Sequence, residues 1–225
     1  MHDSGIEYLG WFHLEPEPGR WQFRDRELQR YREHHLEILG ELGTAPLWAS
    51  YYQDVGKPHN GYFDRYYQPK RMGDFANYVR TVVERYRGTI AAYDVWNEPW
   101  IHAWWAVGYD ETKSGREGYL PSENPQRDFV RLMRTAYQNV KALDPNALVL
   151  GVNTTTSGPG AQNIGGSDWT AGVVQNGGLE FCDAIAYHQY TVRNSSSPAT
   201  RFSRGSRPPS VRSAVGSEVS PSRCG

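Results

Sequence analysis

The feature that most constrains this chain's fold is the regular alternation of short apolar runs with longer stretches of helical spacing. "IEYLGWF" (6–12) is an apolar run followed by the turn-forming "EPEPG" (15–19), and it reads as a buried strand. "DRELQRYREHHLEILGELG" (25–43) carries Leu28, Tyr31, Leu36, Leu39 and Leu42 near helical spacing and reads as one helix with Gly43 as its C-cap. "APLWASYY" (45–52) reads as a second strand, "GDFANYVRTVVERYRG" (73–88) as a second helix and "IAAYDVWN" (90–97) as a third strand. After a long polar insertion, "QRDFVRLMRTAYQNVKALDPN" (126–146) reads as a third helix stopped by an Asp-Pro turn, and "ALVLGVN" (147–153) as a fourth strand. A Gly-rich loop and a short helix near "DWTAGVVQNG" (168–177) lead to a fifth strand, "FCDAIAYHQY" (181–190).

Strands alternating with helices imply a parallel α/β sheet. A doubly wound open sheet and a (β/α)8 barrel both satisfy that pattern. The doubly wound fold places a Gly-rich phosphate loop after its first strand, whereas this chain has "HLEPEPG" there, which cannot cradle a phosphate. Polar and aromatic residues gather instead where strands end: Trp48 to Tyr52, Trp96 to Trp100, Asn153, and His188 to Tyr190. A (β/α)8 barrel builds its active site at that end. The sequence therefore predicts an α/β fold of the (β/α)8 barrel type, spanning about residues 5–192.

Charge narrows the partners. The net charge of the 225-residue chain is -1, without the basic surface that nucleic acid or an anionic membrane selects. No window of about 18 apolar residues offers a membrane span, and "MHDSGIEYLGW" lacks the layout of a signal peptide. Two cysteines, Cys182 and Cys224, make no disulfide framework, and no Cys/His cluster has zinc spacing, so neither metal nor cofactor is expected. Aromatic residues are 13% of the chain, with eight Trp and fifteen Tyr, which fits either a large core or a cleft where pyranose rings stack on indole and phenol faces. Past residue 194 the text is dense in Ser, Arg, Pro and Gly without periodicity. It has two readings, a disordered tail or sequence translated out of frame.

The candidate chemistry sits in "DVWNEPWIHAWW" (94–105). Glu98 follows the third strand with Trp96 and Trp100 beside it, and a carboxyl desolvated in this way suits a general acid that protonates a leaving oxygen. The plainer alternative is an Asn-Glu-Pro turn with an exposed carboxylate. Asn97 can bond a substrate hydroxyl. His188 and Tyr190 share a strand face and read as subsite lining, against the ordinary alternative of a satisfied core His. Trp48, Tyr51 and Tyr52 divide between core and sugar platform. Glu15 reads as a turn or salt-bridge residue and His34-His35 as a solvated helix face. Glu7 and Asp94, inside strands, are less well placed than Glu98.

These stretches together resemble the clan A glycoside hydrolases, families 5 and 39 above all. "YDVWNEPW" resembles the fourth barrel strand, which ends in Asn-Glu-Pro with the acid/base Glu. "WFHLEPEPGRWQF" resembles the second-strand stretch, "VVERYRGTIAAYDVWNEP" the helix and strand before the acid/base, and "CDAIAYHQY" the sixth strand. The resemblance implies a retaining glycosidase acting on a β-linked glycan or glycoside, with Glu98 as acid/base and Asn97, Trp48, Trp96, Trp100, His188 and Tyr190 around the sugar. It places the visible strands as the second to the sixth, the first barrel strand before Met1 or missing, and strands seven and eight past residue 192. The nucleophile implied is a second Glu ending strand seven. Glu218, in "AVGSEVS", is the one carboxylate after His188, and it departs from the pattern in having no crossover helix before it. A chain without that nucleophile is the alternative, a barrel fragment that keeps only sugar binding.

Overall fold

In a computed structural model that describes residues 9–155 and 166–188, a four-stranded parallel sheet lies at the centre of the fold, its strands neighbouring one another in chain order. Residues 9–10 form a turn into α1 (Trp11–Leu14), and α2 (Asp25–Glu33) precedes β1 (Leu39–Leu42). The chain then runs through α3 (Tyr52–Val55) to α4 (Met72–Tyr86) and β2 (Ala92–Val95). A hairpin of β3 (Gly108–Tyr109) and β4 (Tyr119–Leu120) comes next, then α5 (Pro125–Leu143), β5 (Leu148–Thr155), α6 (Gly166–Gln175) and β6 (Ala184–His188). Parallel strands joined through helices on an α/β pattern are the (β/α)8 architecture in part.

Three expectations from the sequence are corrected. The run at 6–12 is not a strand where the structure describes it. Trp11 begins a helical turn, because its indole is fully buried, stacks on Tyr78 at 5.2 Å and donates to Glu15 at 2.7 Å; residues 6–8 lie outside the described residues. The helix expected over 25–43 stops at Glu33, where His35 turns to a positive φ of 55°. The later part of that segment forms β1, with Gly40, Glu41 and Leu42 buried in it and Ile38 buried just before it. Leucines three apart satisfy a helical template, yet Gly40, Glu41 and Leu42 are buried in succession, as in a strand covered on both faces, and pair with Tyr93, Asp94 and Val95 of β2. The strand expected at 45–52 is instead loop and 3-10 turn (Leu47–Ala49), following β1 rather than forming it. The sheet therefore has four strands among the described residues where five were expected.

The outer face of the sheet is covered by α4 and α5. α4 buries Phe75, Tyr78, Val79, Val82, Val83 and Tyr86, a stripe at three- and four-residue spacing. α5 begins with Pro125 at its first position, where a missing N–H costs nothing, and buries Phe129, Val130, Leu132, Met133, Ala136 and Val140. Gly40 lets Leu9 pack closely against β1: a Cβ there would lie 2.3 Å from Leu9 Cδ1.

The "long polar insertion" is an organised lobe. The connections after β1 and after β2 fold on each other around Phe63, Tyr67, Ala103, Ala106 and Tyr119. Tyr119 donates to the buried Asp64 carboxylate at 2.9 Å, and Gln68 N–H donates to Ala106 O at 2.8 Å. Among the described residues no helix is long and apolar enough to cross a membrane.

Candidate active site

Because the four strands are parallel, their carboxyl ends lie along one edge of the sheet. The backbone there leaves ordinary geometry. Thr44 after β1, Trp96 and Glu98 after β2, and Val152 and Asn153 in β5 all take positive φ, between 45° and 67°. Non-glycine residues hold such angles at roughly 1–3 kcal/mol each, and only where surrounding packing enforces them. In β5 the pair falls in a break of register between Gly151 and Thr154. The turn after β2 is held by Trp96 N–H donating to Leu42 O at 3.0 Å and Ile101 N–H donating to Glu98 O at 3.0 Å.

That turn aims Glu98 at β6. Glu98 is 4% exposed, and its Oε1 lies 3.2 Å from His188 Nδ1. The Trp100 ring meets the His188 imidazole edge-on at 5.3 Å, walling one side of the pair. Thr155 Oγ1 donates to His188 O at 2.8 Å, which pins the end of β6 to β5. Asn97 is half-buried beside Glu98.

Beneath Glu98 lie inward-facing polar residues. Glu41 on β1 and Asp94 on β2 are register partners, hence on one face, and both are buried. Asn153 Nδ2 donates to Asp94 Oδ1 at 3.2 Å and to Val95 O at 2.8 Å. Burial pushes the Asp94 carboxyl up to about 6, against the pull of the His188 charge and of the Asn153 amide.

The candidate residues separate accordingly. Glu98, His188 and Trp100 are in mutual contact or joined through His188, with Asn97 next to them. Trp96 is elsewhere. Its side chain is fully buried, its indole donates to Trp104 O at 2.6 Å, and its ring packs edge-on against Tyr66 and Trp105. With no face left open it supports the turn, and the sugar contact expected for it is corrected to a core role. Trp48 lies past β1, half-buried, donating to Glu15 O at 3.0 Å and edge-on to Trp11 at 5.7 Å. Glu15 serves the turn, accepting from Gly19 N–H at 2.8 Å. His34 and His35 are exposed at the end of α2. Tyr190, Glu218, Glu7 and the segment 195–225 lie outside the described residues. Asp94 and Asn153 belong with Glu98, although the sequence reading set Asp94 aside as a strand residue. A signal was available: Glu41 and Asp94 are carboxylates at strand positions whose neighbours are apolar.

No protein-family model matches the chain, and no curated protein matches it in sequence. Solved structures do match in fold. A family 10 glycoside hydrolase from Paenibacillus barcinonensis aligns with 83% of this chain and 51% of its own, at 12% identity and a TM-score of 0.50. A xylanase from the same organism, complexed with a conduramine derivative, aligns with 84% of this chain and 52% of its own, at 14% identity and a TM-score of 0.50. A family 39 glycoside hydrolase from Bacteroides cellulosilyticus WH2 aligns with 78% of this chain and 30% of its own, at 19% identity and a TM-score of 0.49. The chain thus spans about half the length of the first two, and less of the third. With helices packed on a parallel sheet and polar residues along its carboxyl edge, the chain carries part of the (β/α)8 barrel fold found in glycoside hydrolases.

Proposed function

We propose that this chain is the part of a retaining glycoside hydrolase that carries the acid/base, Glu98, and that the enzyme acts on a β-linked glycan or glycoside. The observation that supports this most is the buried Glu98 carboxylate held 3.2 Å from His188 Nδ1 at the carboxyl edge of a barrel-type sheet. A general acid must reach the leaving oxygen, and Glu98 stands at that edge in contact with His188, whose ring meets the Trp100 indole. Asn97 bonds a ring hydroxyl, while Trp100, His188, Tyr190 and Trp48 border the sugar.

Retention requires a second carboxylate about 5–5.5 Å from the first, as nucleophile. Within this chain the candidate for it is Glu218, the carboxylate that follows His188 in the sequence. A second reading is that these residues bind sugar without hydrolysing it.

The test separates the two. The purified protein is incubated with activated 2-deoxy-2-fluoro-β-glycosides, β-xylosides included because one resembling structure is a xylanase, and its peptides are mapped by mass spectrometry. An adduct on Glu218 supports the retaining reading with the nucleophile in this chain. Saturable binding without adduct or turnover supports the second. Neither binding nor adduct across the panel overturns both.

A further inference from the structure

We propose that Arg65 determines specificity at this site by receiving the carboxylate of an acidic sugar, so that the glycan bound at the carboxyl edge carries a uronic acid; this rests on the reading of that edge as a glycosidase cleft. The backbone fixes where Arg65 stands. Trp96 N–H, in the turn that carries Glu98, donates to Leu42 O at 3.0 Å, the last residue of β1. Just beyond, Trp11 N–H donates to Gly43 O at 3.0 Å and Ala45 N–H donates to Arg65 O at 2.8 Å. The turn of Glu98 and the backbone of Arg65 are thus tied to one short stretch, Leu42 to Ala45, at the carboxyl end of β1.

The Arg65 side chain is half-buried, and no carboxylate of the described residues lies within ion-pair distance of it. Its Cζ lies over the Phe12 ring at 5.1 Å and over the Tyr62 ring at 5.2 Å. Such contacts shed water from a guanidinium and supply no anion. Nη1 meets His13 Nε2 at 3.3 Å and Nη2 donates to Gly61 O at 3.4 Å, both long, while the buried Nε has no hydrogen-bond partner among the described residues. The acidic residues nearby are committed elsewhere. Asp64 accepts from His59 N–H at 3.1 Å, Asn60 N–H at 3.2 Å and Tyr119 at 2.9 Å, and Glu15 accepts from Trp11 and Gly19. A guanidinium stays charged at any working pH and offers five N–H donors in one plane. Its best-matched partner is planar and bidentate, as a carboxylate is. At the edge where a glycan would meet Glu98, the substrate group of that chemistry is the carboxylate of a uronic acid.

The full chain is titrated with methyl β-D-glucuronide, methyl β-D-glucoside and sodium acetate, as wild type, Arg65→Gln and Arg65→Lys. Calorimetry gives the affinities and 15N NMR follows the Arg65 Nε–H. Wild type is expected to bind the glucuronide roughly tenfold or more tightly than the glucoside, with a shift of the Arg65 signal that acetate alone does not produce. Arg65→Gln should erase that preference and leave the glucoside's affinity in place. Arg65→Lys, which keeps the charge and loses the fork, should weaken the preference in part, and decides the matter if Arg65→Gln does not fold. Equal affinity for the two glycosides, a preference unchanged in the variants, acetate binding as tightly as the glucuronide, or no binding of either glycoside overturns the proposal. Equal affinity leaves Glu98 as acid/base standing, because that role is read from the leaving group and not from the charge on the sugar.

Discussion

Replacing Asp94 by Asn keeps the side chain's shape and removes its titration, so the change in stability with pH isolates one buried charge. Burial lifts the carboxyl from 3.8 to about 6 in the folded protein. Once both states have ionised, this difference opposes folding by about 3 kcal/mol. The folded state binds the extra proton between those two values. Stability therefore falls as pH rises from about 4 through 6 and stays lower above it. Between pH 5 and 7.5 the opposition grows by about 1.4 kcal/mol for this pair of values. Urea unfolding of wild type and Asp94→Asn at both pH values gives the double difference directly. Asp25, Asp110, Glu111 and Asp183, whose carboxyls are held below the usual range, titrate alike in both proteins and cancel. Asp94→Asn is expected to gain about 1.4 kcal/mol on wild type between pH 5 and 7.5. Parallel curves with unchanged slopes would refute the claim that Asp94 ionises against its burial.

Three further outcomes follow from packing. Trp96→Ala should lower stability by about 3–5 kcal/mol in urea unfolding, because a fully buried indole and its bond to Trp104 O are lost together. Gly40→Ala should cost about 1–3 kcal/mol, since the added methyl meets Leu9 Cδ1 at 2.3 Å in a filled core. Ile185 and Tyr187, 52% and 51% exposed on the outer side of β6, should tolerate change: Ile185→Thr is expected within about 0.5 kcal/mol of wild type, with weaker self-association by analytical ultracentrifugation.

What the sequence made legible follows from how locally each feature is determined. α4 and α5 are long, strongly amphipathic and stopped by Gly88 and by the Asp-Pro turn, so their positions were readable within a few residues. β2, β5 and β6 were found because apolar runs of that length between helices have few alternatives. β1 was misplaced because Leu36, Leu39 and Leu42 fit a helix, and only its pairing with β2 shows a strand buried on both faces. The lobe around Phe63 and Tyr119 joins segments some fifty residues apart, a pairing that no local pattern carries. At the site, Glu98 announced itself through its aromatic neighbours and its place at a strand end. The same reasoning overrated Trp96, since whether an indole faces a cleft or the core depends on a backbone turn with positive φ. Asn153 was legible as a strand-end polar residue and Asp94 was ranked below Glu98, because the bond that joins the two crosses from β2 to β5 and leaves no local pattern.

The most direct test of the central claim is the leaving-group dependence of Glu98→Gln, measured as kcat/KM on a series of aryl and alkyl β-glycosides in a form of the protein that turns them over. A general acid matters in proportion to the proton the leaving oxygen needs. Losses of roughly 10²–10⁴-fold are therefore expected for alkyl and other poor leaving groups, shrinking towards none for dinitrophenolate. Equal losses along the whole series would contradict the assignment of Glu98 as acid/base.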